Sequence, residues 1–130
     1  MILTNYILNK LTEEAEKSPR LRMNYNLHEG FEDSVQRMFN ALEPGTIIPI
    51  ARHPYSSETL IMLRGRLRVL LYDDNKNIID DVVIEANSSN FGYHIPKGAW
   101  HHVESLEHGT VCFETREGPY VPVAESDILR

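Results

Sequence analysis

The stretch that decides the fold runs from Gly45 to Gly65, GTIIPIARHPYSSETLIMLRG, and it has a counterpart at Ile95–His102, IPKGAWHH. In each segment apolar residues flank a turn rich in Gly or Pro, a pattern typical of strand, turn and strand. The first segment carries His53 and Glu58, and the second carries His101 at the spacing P-x-G-x-x-H. Imidazole and carboxylate are ligands of borderline divalent metals. These side chains can meet only if the two strand pairs face each other across a core, which predicts a small β-barrel with a metal site.

The remainder of the chain favours the same fold class. Short apolar strands separated by turns, about eight to twelve residues apart, continue to Arg116 and predict an all-β barrel or sandwich. Asn5–Lys17 has apolar residues at helical spacing and stops at Ser18-Pro19, which predicts one amphipathic helix. Arg20–His28 alternates apolar and polar residues like a half-buried strand. We therefore expect a helix and lead-in at 1–19, one barrel domain at 20–120 and a tail at 121–130.

The segment Val35–Leu42 is ambiguous. Four apolar residues fit the helical spacing i, i+3, i+4, i+7, namely Val35, Met38, Phe39 and Leu42. A strand through Arg37–Glu43, ended by Pro44-Gly45, fits equally well. The local pattern slightly favours a helix, whereas the barrel context favours a strand for the second half of the segment.

Composition excludes several classes of protein. A chain of 130 residues with one cysteine closes a single core and forms no internal disulfide. The formal net charge of −6 argues against a nucleic-acid partner, and no apolar run approaches the roughly 20 residues that span a membrane. The first residues lack the pattern of a secretory signal. We expect a cytoplasmic protein in which Cys112, within the apolar run TVCF, is buried and inert.

The two segments resemble the two motifs of the cupin superfamily. In the first motif, G-x5-H-x-H-x3,4-E-x6-G, four positions match: Gly45, His53 at the second histidine, Glu58 and Gly65. In the second motif, G-x5-P-x-G-x2-H-x3-N, three positions match and two differ: Pro96, Gly98 and His101 match, while Asn90 and Ser105 replace the first Gly and the Asn. The resemblance implies a cupin jelly roll, that is, a double-stranded β-helix.

A closer resemblance covers nearly the whole chain. The segments SPRLRMNYNLH, EDSVQRMFNALEPGT, LRGRLRVLLYDD, IPKGAWHH and FETREGPYVP are similar to those of the WbuC-type cupin fold metalloproteins. That family is associated with bacterial O-antigen and surface polysaccharide loci. Its N-x-N-x-H pattern matches Asn24, Asn26 and His28, which implies a pocket role for these residues beside a metal-binding barrel. The resemblance implies no particular reaction.

One departure from the family concerns the metal ligands. Ala51 stands where the family has its first motif-one histidine, and a methyl group cannot ligate. The three-His-one-Glu set therefore reduces to His53, Glu58 and His101. A set of this kind suits a divalent ion (Zn, Fe, Mn or Ni) with open positions, with His28 or Glu114 as possible fourth ligands. Alternatively, the site has lost its metal and the pocket binds a ligand without one.

Strand parity sorts the remaining histidines. If His101 points into the barrel, His102 points outward. His94 is expected to be a hydrogen-bonded strand residue, and His108 to lie in a solvated turn.

The basic and aromatic residues leave two alternatives open. The arginines Arg52, Arg64, Arg66 and Arg68 would meet an anionic substrate if some of them point inward. A solvated strand face is the other interpretation, because Leu67, Val69 and Leu71 alternate with three of them as the core side. Similarly, Tyr93, Trp100 and Tyr120 would suit stacking on a sugar ring, or they belong to the core or an interface.

Two main hypotheses for function follow. The first is a metal-dependent, isomerase- or epimerase-like protein of carbohydrate metabolism, in which the metal acts as a Lewis acid. The second is a metal-free barrel that binds a small molecule such as a carbohydrate. In both we expect a small-molecule ligand, no membrane or nucleic-acid partner, and a homodimer that covers exposed edge strands.

Overall fold

The structure is a computed structural model that describes residues 1–130. One α-helix and ten strands follow in order: α1 (Asn5–Lys17), β1 (Arg22–Asn26), β2 (Val35–Leu42), β3 (Ile50–Ala51), β4 (Glu58–Arg64), β5 (Arg66–Tyr72), β6 (Ile78–Glu85), β7 (Gly92–Ile95), β8 (Trp100–Ser105), β9 (Thr110–Glu117) and β10 (Ile128–Leu129). A 3₁₀ turn at Glu125–Asp127 precedes β10. The one α-helix is too short and too polar to cross a membrane.

The strands form two five-stranded antiparallel sheets. Sheet A has the order β1-β2-β9-β4-β7, and sheet B has the order β10-β3-β8-β5-β6. Their facing sides enclose the main apolar core of nine buried residues: Leu42, Leu60, Met62, Leu67, Val69, Leu71, Ile84, Ile95 and Cys112. The inward set on β5 is the apolar one, so the arginines of that strand point away from the core.

The predicted helix covers the outer face of sheet A. Leu11 and Ala15 of α1 are fully buried against Phe39, Ala41 and Val111. This packing also explains why β2 carries apolar residues on both faces, since one face meets α1 and the other meets the barrel interior. A strand covered on both faces imitates the helical spacing. The slight local preference for a helix at Val35–Leu42 was therefore wrong, and the whole segment is a strand.

Four of the five residues in Thr46–Ile50 are β-branched, which favours a strand from sequence, but only the end of this segment forms one. In the structure the strand begins at Ile50, and Ala51 is its second and last residue. Pro49 has no N–H to donate to a ladder, so residues 46–49 approach the sheet as a loop.

The turn between β4 and β5 requires glycine. Gly65 has a φ of +74°, in the left-handed region. A Cβ atom there would lie 2.3 Å from Thr110 Oγ1 and 2.8 Å from Thr110 Cα. The motif glycine therefore allows the chain to reverse against the start of β9.

The end of the chain returns to the barrel. β10 pairs with β3, with Ile128 opposite Ala51. Arg52 N donates to Asp127 O at 3.0 Å, and Arg52 Nε donates to Asp127 Oδ1 at 2.8 Å. The tail thus lies beside the strand that leads into His53, and it shares a cavity of about 540 Å³ with Arg52, His53 and Arg116.

Candidate metal centre

Three side chains from both sheets converge in one cavity. His53 follows β3, Glu58 begins β4 and His101 lies on β8. One potential ligand atom from each lies within 4.8 Å of the others, and the two imidazole centroids are 5.4 Å apart. All three line a cavity of about 300 Å³ between the sheets.

The surroundings of His101 define the state of its ring. Nδ1 lies 3.0 Å from Ala99 O, and a carbonyl requires a donor, so Nδ1 carries a hydrogen. Nε2 then faces Glu58 Oε1 at 2.7 Å. Burial alone would lower the pKa of His101, but the hydrogen bond and charge of Glu58 outweigh burial and raise it. With a proton on Nε2 the ring pairs with Glu58, and without that proton it presents a lone pair to the cavity.

Glu58 is held as a carboxylate by two cations. Its side chain is buried, and burial alone would raise its pKa. The hydrogen bond from His101 and the charge of Arg116 outweigh that effect and lower the pKa to about 2. Arg116 Nη2 lies 3.2 Å from Glu58 Oε2. One oxygen of Glu58 therefore faces the histidines and the other faces Arg116.

His53 completes the set as a neutral imidazole. Burial, reinforced by the positive charge of Arg116, lowers its pKa to about 4. No hydrogen bond within the protein affects this ring, so a nitrogen lone pair is free. Two imidazoles and one carboxylate oxygen, one ring oriented by the backbone carbonyl of Ala99, fit a divalent ion such as Zn, Fe, Mn or Ni.

Ala51 lies at the position where a fourth ligand would start. It lines the same cavity and is the register partner of His101 on the neighbouring strand. Cβ atoms of directly opposed residues are about 5 Å apart. The methyl group therefore leaves open space on this side of the set.

A second buried carboxyl group lies against the set. Burial, together with the negative charge of Glu58, raises the pKa of Glu114 to about 7. Asn40 Nδ2 donates to Glu114 Oε1 at 2.8 Å, and Arg116 Nη2 donates to Glu114 Oε2 at 2.6 Å. Two donors therefore hold a carboxyl group with a near-neutral pKa inside the cavity. Cys112 also lines the cavity, but burial raises the pKa of its thiol above the usual range, so it stays protonated.

The structure separates the other predicted pocket residues into different places. Asn24, Asn26 and His28 line a smaller cavity of about 120 Å³. Tyr93 lines neither of these cavities, and its hydroxyl donates to Asp80 on β6. Arg66 alternates with the buried Leu67 and lines neither cavity.

Three of the other predicted residues have partners outside the proposed metal set. Arg52 is stacked on Trp100, 4.4 Å from the ring centroid, and Arg68 binds Asp81. His102 lies on the face of β8 opposite His101, and its buried Nδ1 has no hydrogen-bond partner. His94 Nδ1 is 2.9 Å from Thr59 Oγ1.

Sequence reasoning missed two groups of residues. Arg116 was not singled out, although it shares strand parity with Glu114 and that spacing was a usable signal. The second group links three distant segments: the exposed ring of His108 pairs with buried Glu43, and its Nε2 lies 3.3 Å from Glu16 Oε1. His108 is therefore exposed but not simply solvated, and no local pattern indicates these partners.

Comparison with known proteins gives a family and a fold. The sequence profile of a domain of unknown function, DUF6016, matches residues 3–84. The chain belongs to the DUF6016 family. No curated protein matches this DUF6016 chain significantly.

Solved structures resemble the DUF6016 chain in fold. BH2720 from Bacillus halodurans is 20% identical with a TM-score of 0.64, and the alignment covers 95% of this chain and 88% of that one. The cupin domain of Schizosaccharomyces pombe Cnp3 is 11% identical with a TM-score of 0.59 over 74% of this chain and 64% of that one. The capsular polysaccharide assembling protein CapF from Staphylococcus aureus is 20% identical with a TM-score of 0.60, over 70% of this chain and only 25% of that one. The predicted cupin jelly roll with an N-terminal helix is confirmed, while the WbuC-type likeness stays a prediction.

Proposed function

We propose that this chain is a cupin-fold metalloprotein that holds one divalent ion through His53, Glu58 and His101. The observation that carries the proposal is the convergence of three ligand atoms within 4.8 Å, from both sheets, inside one cavity. The chemistry of each group supports it. One imidazole is neutral and free of hydrogen bonds, one is oriented through Nδ1, and the carboxyl group is ionised.

A bound ion would supply Lewis-acid polarisation of a ligand oxygen. The chain's own residues provide the remainder of the chemistry. Glu114, with a pKa raised to about 7, can hold or release a proton beside Glu58, and Asn40 fixes one of its oxygens. Proton transfer of this kind suits an isomerase- or epimerase-like reaction on a hydroxyl or carbonyl compound.

We propose a small, sugar-derived molecule of surface polysaccharide metabolism as the ligand. The WbuC-type resemblance supports this class, and so does the fold shared with a protein that assembles capsular polysaccharide. A cavity of about 540 Å³ under the tail shares His53 and Arg116 with the proposed metal cavity, which gives such a molecule an approach. The cytoplasmic location and the homodimer stay predictions.

A metal-free binding barrel is the alternative, and one observation favours it. Glu58 already has two cationic partners, since it pairs with His101 at 2.7 Å and with Arg116 at 3.2 Å. A proton on His101, together with Arg116, therefore balances the negative charge of Glu58 without a metal ion. In this alternative the same side chains hydrogen-bond a ligand directly.

Elemental analysis separates the two functions. We expect protein purified without chelator to contain close to one equivalent of a transition metal, and the His101→Ala variant to contain almost none. His102→Ala is the matched control, because it removes the neighbouring imidazole of the same strand, which is not one of the three converging groups. No stoichiometric metal in the wild-type protein, even after reconstitution with Zn²⁺, Fe²⁺, Mn²⁺ and Ni²⁺, would leave the metal-free alternative.

A further inference from the structure

A row of polar side chains crosses the inner face of sheet A. The register places Gln36 of β2 opposite Arg116 of β9, and Arg116 opposite Glu58 of β4. His28, two residues beyond the end of β1, continues the row on the other side, where it lines the cavity of about 120 Å³ together with Gln36 and Arg116. The proposed metal set thus occupies one end of the row, and a separate cavity occupies the other end.

The ring of His28 is buried but has an unused donor. Its exposed fraction is 8%. Nδ1 lies 3.1 Å from Arg37 N and 3.0 Å from Arg37 O. Arg37 O already accepts a hydrogen bond from Leu27 N at 2.8 Å, and a backbone N–H can only donate, so Nδ1 is the acceptor of Arg37 N–H. The neutral ring then carries its hydrogen on Nε2, and no group of the protein accepts it.

Two further donors are free at the same cavity. Asn26 Oδ1 accepts from Asn24 Nδ2 at 2.6 Å, which leaves both N–H groups of the Asn26 amide available. Arg116 uses Nε and Nη2 on Glu114 and Glu58, so Nη1 has no partner. No Asp or Glu lines the cavity. Three side chains therefore offer free donors here, and the side chains around the space carry no negative charge.

We propose that this cavity is a second ligand site, which binds the carboxylate of a small molecule through His28 Nε2–H, the Asn26 amide and Arg116. Carboxylate oxygens accept several hydrogen bonds at once, and bonds to an ionised acceptor are shorter and stronger than neutral ones. A volume of about 120 Å³ corresponds to about four water-sized groups. That is enough for a carboxylate and the carbon next to it.

The mouth of the cavity leaves room for the remainder of such a molecule. Phe31 and Tyr120 stack with centroids 4.9 Å apart, and both residues line the cavity and are exposed to solvent. Binding here needs no metal ion, because none of the three proposed donors belongs to the set of His53, Glu58 and His101. Arg116 borders both sites, since it also pairs with Glu58, so His28 and Asn26 carry the test of the second site.

The test is a titration followed by NMR of ¹⁵N-labelled protein, with acetate as the probe and acetamide as its neutral isostere. We expect acetate to shift the His28 Nε2–H and Asn26 amide signals in a saturable manner. Acetamide should bind at least about tenfold more weakly, because hydrogen bonds to an ionised acceptor are stronger than those to a neutral one. Equal responses to both probes, or acetate shifts confined to His53 and His101, would overturn the proposal.

Asn26→Asp is the decisive variant. It keeps an oxygen for Asn24 Nδ2 but removes both free N–H groups and adds a negative charge at an exposed position, so the fold should be retained. We expect acetate affinity to fall by about tenfold or more. Asn90→Asp adds the same charge at an exposed residue that does not line this cavity, and it should leave the affinity unchanged. If both variants weaken acetate binding equally, the effect is only one of net charge and the proposal is wrong.

Discussion

Ala51→His is the substitution that most directly probes the proposed metal centre. The register places position 51 opposite His101, and its side chain lines the cavity that contains the three proposed ligands. A new imidazole would start about 5 Å from the Cβ atom of His101, because directly opposed residues of antiparallel strands lie that close. It would thus extend into the open side of the set, within a cavity of about 300 Å³.

The expected gain follows from the energetics of other metal sites. A four-ligand structural zinc site is worth about 10–16 kcal/mol, or about 3 kcal/mol for each ligand. Ordering the new side chain costs about 1 kcal/mol. The net gain for Ala51→His is therefore about 2 kcal/mol, which corresponds to roughly a 30-fold tighter dissociation constant.

The assay is the Zn²⁺ affinity of each variant, measured by competition with a chromophoric chelator. The matched control is Ile50→His, which adds an imidazole to the same two-residue strand but on the alternate face. We expect a gain for Ala51→His and none for Ile50→His. Unchanged affinity in a folded Ala51→His variant would refute the placement of residue 51 against the ion, and an equal gain in both variants would indicate binding outside the barrel.

Two further predictions concern metal binding, and a third concerns the contribution of Glu43 to stability. His53→Ala and His101→Ala should each weaken Zn²⁺ binding by about 3 kcal/mol as measured by calorimetry, whereas His102→Ala should leave it unchanged. Equal losses in all three variants would show that the assumed strand parity is wrong. Zn²⁺ affinity should fall by up to about tenfold per pH unit below the pKa of His101, because that pKa is raised and a proton must leave Nε2 before the metal binds. A flat profile of affinity from about pH 6 to 8 would contradict this competition between proton and metal. Glu43→Ala should lower the free energy of unfolding in urea by about 1–3 kcal/mol, because Gly109 N–H loses its carboxylate acceptor at 2.8 Å. A loss below about 0.5 kcal/mol would mean that water replaces the buried carboxylate.

The fold could be predicted because its strands carry local signals. Turn residues, motif glycines and the alternation on β5 all indicate a barrel, and the structure contains each of these features. Val35–Leu42 was harder because α1 covers the outer face of the strand, and that tertiary contact is invisible in a local pattern. Residues 46–49 were also hard to predict, because their β-branched side chains suggest a strand whereas Pro49 has no N–H to donate to a neighbouring strand.

The proposed metal ligands could be predicted because their motif spacing places them on two facing strand pairs. Which charged residues lie beside these ligands could not be predicted, because that depends on the pairing register of neighbouring strands. Arg116 meets Glu58 only because β9 and β4 pair with these two residues opposite each other. A shift of the register by one residue would turn Arg116 away from the interior. The tautomer of His28 likewise depends on Arg37, nine positions away on the next strand.

The return of the chain terminus to the sheet affects how the protein can be handled. A fusion partner attached after Arg130 would begin directly beyond β10, whose Ile128 is paired with Ala51 on the strand that leads into His53. Strain from such an attachment would pass through two backbone ladders to His101. A partner attached before Met1 would disturb the barrel less, since Met1 is 86% exposed and precedes the helix α1.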